Sequence, residues 1–172
     1  MKRNNAKSET SIQALQLAET MQAHFASELK GLASSLASEQ KFSPVEWYRD
    51  QGQHGGGLRL VAETGPVFNR ASINVSQVQY EDLPEKRLNA ATALSTIIHP
   101  ANPHAPSIHM HISWTELKGG KGSWRVMADL NPSMPTEKMK ERFDKSLRDA
   151  SGDNYERGKQ DGERYFYIPS LQ

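Results

Sequence analysis

Four of the six histidines crowd between positions 99 and 111, as His99, His104, His109 and His111. Histidine is the side chain best suited to moving protons near neutral pH. Three readings fit such a cluster: hydrogen-bonded surface histidines, a metal site, or an acid–base site serving a bound substrate. His109, His111 and Ser113 alternate with Ile108, Met110, Ile112 and Trp114. A strand there turns the three polar residues to one face, which suits metal ligation and proton transfer alike. Spacing alone leaves all three open.

A second constellation is Gly55-Gly56-Gly57 with Arg49 and Arg59 on either side. No strand–turn–helix pattern surrounds the triplet and no Lys-Ser or Lys-Thr follows it, so nucleotide binding is discounted. Consecutive glycines let a ligand approach the backbone, and arginine forks match carboxylates. A flexible turn with solvated arginines fits equally well.

The elements that must hold these residues are legible from periodicity. In 11–36 the apolar positions Ile12, Leu15, Ala18, Met21, Phe25, Leu29, Leu32 and Leu36 recur every three or four residues, the stripe of an amphipathic helix. Residues 1–10 read as a disordered tail, and Phe42-Ser43 as the helix exit before Pro44. Candidate strands follow at 59–62, 73–80, 93–98, 108–114 and 123–129, with Gly119, Gly120 and Gly122 marking a hairpin turn. Thr136 can cap a later helix with the stripe Met139, Phe143, Leu147 and Ala150, stopped at Gly152. The order predicts an α+β domain over 11–172 with a largely antiparallel sheet.

Composition excludes several classes. The 172 residues are 36% hydrophobic and carry 21 Lys plus Arg against 20 Asp plus Glu, so no basic excess points to nucleic acid. The absence of cysteine removes disulfides, thiolate metal sites and a Cys nucleophile. No apolar run has the length of a membrane span and no signal sequence is evident, from which a cytoplasmic location is expected.

Specific motifs then carry a resemblance. Trp47-x-Arg49, the glycine run, Gly65-x-Val67-Phe68 and Asn74-x-Ser76 occur in that order. Ser95-x-x-x-His99-Pro100-x-Asn102-Pro103-x-x-Pro106-x-x-His109 follows, then Trp124, Asp129-Leu130-x-Pro132 and Tyr165-Phe166-Tyr167. This series resembles the N-terminal half of the oxygen-dependent coproporphyrinogen III oxidases. The resemblance implies a flat antiparallel sheet flanked by helices, C-terminally shortened here, and a homodimer. It implies oxidative decarboxylation of two propionates of coproporphyrinogen III to the vinyl groups of protoporphyrinogen IX. Molecular oxygen is then the acceptor, with no flavin or haem required.

By position the resemblance makes His109 the catalytic proton donor, with Ser95 and Asp129 binding substrate. It places a further substrate-binding run at His111, Ile112 and Ser113, where the family reads Asn-Val-Arg; the arginine is therefore missing, and Arg125 stands where the family has glycines. Arg49 and Arg59 are candidate carboxylate contacts. A divalent metal site described in some members would begin at His99 and continue at Asp144 and near Ser170. Two alternatives remain: a catalytically inactive homologue or tetrapyrrole-binding module, and a metal-dependent oxygenase built on His99, His109 and His111.

Overall fold

The computed structural model describes residues 2–36 and 38–165. Among them, six strands form one antiparallel sheet in chain order: β1 (Phe42–Tyr48), β2 (Gly55–Ala62), β3 (Phe68–Gln79), β4 (Leu88–Pro100), β5 (Ser107–Leu117) and β6 (Gly122–Asn131). Helix α1 (Glu9–Ser35) precedes the sheet, and α2 (Glu137–Ser151) and α3 (Tyr155–Tyr165) follow it. This is the α+β class with an antiparallel sheet that the sequence predicts. The chain divides into two compact units, Met1–Ser133 and Met134–Gln172. The break falls between Pro132 and Pro135, where a residue without an N–H cannot extend a strand ladder.

The strands run longer than their apolar cores suggest. β1 escapes the sequence reading altogether because Pro44 sits inside it. As the first strand of the sheet it pairs only with β2, and an edge strand tolerates a residue that lacks an N–H. The β5–β6 connection is the expected glycine turn, with Gly119 and Gly120 at φ +91° and +78°.

One face of the sheet packs under α1. Ile73, Val75, Leu94 and Ile98 meet Ala18, Ala26, Leu29 and Ala33 there. The buried stripe of α1 is rotated from the expected one: it runs through Ser11, Ala14, Ala18, Gln22, Ala26, Leu29 and Ala33. Ile12, Leu32 and Leu36 are 43%, 48% and 60% exposed, while Leu15, Met21 and Phe25 flank the contact. The reason is distance and polarity. Alanines let the helix axis approach the strands closely, and Gln22 donates to the carbonyls of Leu58 and Ile73 at 2.9 and 2.8 Å. A glutamine with two acceptors beneath it is stable where an unpaired one is not.

The first residues are not a free tail. Asn4 N–H donates to the Gly52 carbonyl at 2.9 Å, Ala6 N–H to Gln77 Oε1 at 2.9 Å and Lys7 N–H to Glu81 Oε1 at 2.7 Å. Gln77 in turn donates to the Ser11 carbonyl and Thr92 Oγ1, both at 2.8 Å. Polar composition suggested disorder, but these side-chain partners, distant in sequence, satisfy the backbone of the segment.

In the second unit Thr136 caps α2 by accepting from Met139 N–H at 3.3 Å, and Gly152 (φ +51°) ends it. Arg148 lies 4.0 Å above the Tyr155 ring and is paired with Glu156 at 3.1 Å. Of the tyrosine-rich run 165–167, Phe166 and Tyr167 lie outside the described residues.

Candidate active site

Because side chains alternate across a strand, the register sorts the chemistry onto one face. Opposite α1, one row across the sheet reads Arg59, Asn74, Ser95, His111 and Met127. The next row toward the far end of β4 carries Ser72, Ile97, His109 and Asp129. On the other side lie Gly57, Ser76, Ala93, Ser113 and Arg125. Small side chains pave the middle of this open face, and the larger polar groups gather on β5 and β6.

His109 and Asp129 are direct cross-strand partners, with Nδ1 3.3 Å from Oδ2. Asn131 Nδ2 also donates to Asp129 Oδ2. A carboxylate beside Nδ1 favours a proton there and leaves Nε2 as the nitrogen available for exchange. That Nε2 is shielded from solvent and has no hydrogen-bond partner among the described residues. The His99 ring stands edge-on to His109 with centroids 5.7 Å apart, and His99 Nδ1 is 2.8 Å from Ser107 Oγ.

One row away, Ser95 Oγ lies 2.8 Å from His111 Nδ1. Partial burial lowers the pKa of His111, and the Arg125 guanidinium lowers it further. The ring is therefore neutral at pH 7, which lets one of its nitrogens accept a proton or hydrogen bond. The Trp47 indole covers Gly57 of β2 and donates from Nε1 to Asn74 Oδ1 at 3.0 Å.

The structure brings together Ser95, His99, His109, His111, Ser113 and Asp129, with Arg59 farther along the Ser95 row. Two expected residues fall elsewhere. Ile112 points to the opposite face, where it packs against the core under α1, because its neighbours His111 and Ser113 own the open one. Arg49 closes the β1–β2 turn, its N–H donating to the Gly55 carbonyl at 3.0 Å. The strand it follows, β1, lies four spacings from β5, roughly 19 Å across the sheet.

The glycine triplet also has a different purpose. A Cβ on Gly55 would lie 2.1 Å from the Gln77 carbonyl oxygen, and one on Gly57 would lie 2.5 Å from that of Val75 and 2.6 Å from Trp47 Nε1. The space serves the protein's own strands and indole, not a ligand. Alternation within 127–131 could have exposed the Asn131 contact to Asp129; nothing in the sequence signals that Ser107 would bond His99.

Among the described residues, no group of three or more His, Cys, Asp or Glu side chains is arranged to hold a metal ion. Asp144 is instead hydrogen-bonded by the Tyr155 hydroxyl and paired with Arg148 at 3.5 Å. Ser170 lies outside the described residues. His104 is on the exposed turn after β4, its N–H donating to Asn102 Oδ1 at 2.9 Å.

Comparison with known proteins bears on this face. The sequence model of the coproporphyrinogen III oxidase family matches residues 13–172. An oxygen-dependent coproporphyrinogen-III oxidase of Prochlorococcus marinus (strain MIT 9313) is 35% identical over 111 residues, covering 59% of this chain and 31% of that protein. The protein of the same name from Drosophila melanogaster is 31% identical over 153 residues, 75% of this chain and 39% of its own length. A third, from Prochlorococcus marinus (strain AS9601), is 33% identical over 105 residues, 55% of this chain and 30% of that protein. The chain thus spans 30 to 39% of the length of these relatives. No helix among the described residues is long and apolar enough to cross a membrane.

Proposed function

Because the chain belongs to the coproporphyrinogen III oxidase family, we propose that its open sheet face binds coproporphyrinogen III and supports its oxygen-dependent decarboxylation. In each step a propionate R–CH2–CH2–COO⁻ gives R–CH=CH2, CO2, one proton and two electrons. Molecular oxygen takes the electrons, and no flavin, haem or metal is required in this reading. The chain acts as a homodimer in the cytoplasm.

The observation that carries the reading is the His109–Asp129 pair, with Nε2 of His109 shielded and unpartnered beside a face paved with small residues. Asp129 holds the imidazole in one orientation, so that Nε2 can exchange a proton with the macrocycle as electrons leave it. A neutral His111 bonded to Ser95 and the exposed guanidinium of Arg59 supply donors for the propionates.

The test is incubation of the purified protein with coproporphyrinogen III in air, following protoporphyrin fluorescence after oxidation. Turnover that is lost in His109→Ala and insensitive to chelators supports the proposal. Saturable binding without turnover would assign a tetrapyrrole-holding module instead, and activity lost on chelation would assign a metal-dependent oxygenase.

A further inference from the structure

Arg125 is exposed on β6 and stands directly across from Ser113 on β5, so its side chain rises from the same face as His111 and Asp129. Ser113 is small and leaves room for a long side chain to lean over it toward the middle of the face. Arg125 stands one row from His111 on the neighbouring strand, and its positive charge adds to burial in lowering the pKa of that ring. A guanidinium cation beside a serine hydroxyl and a neutral imidazole forms a donor set: a planar fork from Arg125, an O–H from Ser113 and a ring that carries no charge of its own. Asp129, the acidic neighbour two positions beyond Met127, is engaged by His109 and Asn131.

We propose that Arg125 is a carboxylate-binding residue that fixes one propionate of the tetrapyrrole over Ser113 and so sets the register of the macrocycle relative to His109. This rests on the reading of the open face as the tetrapyrrole site. The guanidinium takes the carboxylate through two parallel N–H···O bonds, and the Ser113 hydroxyl donates to one of the same oxygens. One bound propionate on the β6 side leaves the ring plane to lie across the small residues of β3 and β4.

The experiment is a fluorescence titration with coproporphyrin III, the stable aromatic form with the same four carboxylates, and with its tetramethyl ester. Arg125→Ala is expected to raise the Kd for the free acid by about tenfold or more, the scale of a charged hydrogen bond. Arg125→Lys falls between, because a point charge lacks the fork. The double change Arg125→Ser with Ser113→Arg returns the guanidinium to the same face one strand over and recovers most of the loss. The ester binds wild type and Arg125→Ala alike. Equal Kd for the free acid in wild type and Arg125→Ala, both folded by circular dichroism, overturns the assignment while leaving the site standing. Absence of saturable binding to wild type overturns the reading of the face, and this assignment with it.

Discussion

The carboxylate of Glu116 is where the N-terminal residues are fastened to the sheet, and removing its charge should loosen them measurably. Glu116 is 5% exposed. Its Oε2 accepts from Ser8 Oγ at 2.6 Å, Thr10 Oγ1 at 2.8 Å and Ser11 Oγ at 3.0 Å, and its Oε1 from Asn89 Nδ2 at 2.8 Å. Burial alone would raise the pKa, but these donors together outweigh it and hold the carboxyl down at about 2 instead of 4.5. Because the folded value lies below the unfolded one, the unfolded chain binds the proton more tightly. The stabilisation is therefore complete above about pH 4.5 and drains away as pH falls toward 2. A drop of that size corresponds to about 3 kcal/mol. Glu116→Gln keeps the volume but removes the charge, and its amide NH2 must face donors on one side. Urea unfolding at pH 7 should show a loss of about 2–3 kcal/mol, or a Tm lower by about 4–12 °C for a chain of this size. The gap between wild type and variant should close as pH is lowered from 4.5 toward 2. A gap that stays constant over that range would refute the argument, as would a variant as stable as wild type at pH 7.

Two further outcomes follow from the same geometry. Gly57→Ala forces a methyl into the Val75 carbonyl and the Trp47 indole, so a loss of about 1–3 kcal/mol and a shift in tryptophan emission are expected; unchanged emission would mean that Trp47 does not lie over β2. His111 titrates below the ordinary histidine value, so NMR of its ring protons should show it neutral at pH 7, and Arg125→Ala should move the midpoint back up while the part due to burial remains. Since the folded pKa is the lower one, His111 contributes stability that is fully present above about pH 6.5 and declines below it. A midpoint unmoved by Arg125→Ala would separate the two side chains.

Much of the site was legible because β5 alternates cleanly: His109, His111 and Ser113 against Ile108, Met110 and Ile112. The same alternation already argued against Ile112 as a contact, yet the resemblance grouped it with its neighbours. What the sequence concealed were features decided by partners far along the chain. Pro44 disguised β1 because its tolerance depends on being at an edge. The helix stripe was misplaced because large apolar residues outweigh alanine in any pattern, whereas close packing on a sheet favours alanine. The glycines of β2 looked like room for a ligand and are room for Trp47, whose position no local pattern encodes. The tail looked disordered since Gln77 and Glu116, which accept from it, lie more than sixty residues away.

Those hidden partners matter to function through register. A slip of one residue between β4 and β5 would carry the open-face side chains of β5 and β6 to the helix side, placing His109 and Asp129 under α1 and Ile112 in solvent. Apolar packing resists that slip, but Ala, Ile and Val are poor at telling one register from another in a sheet this regular. The buried polar groups discriminate better: Gln22 reaches two particular carbonyls on β2 and β3, Gln77 joins β3 to β4 and α1, and Glu116 joins β5 to the start of α1. In a slipped sheet each would be left unpaired in the interior, a penalty of about 1–3 kcal/mol apiece. The groups that align Ser95 with His111 thus sit on the face of the sheet that carries none of that chemistry.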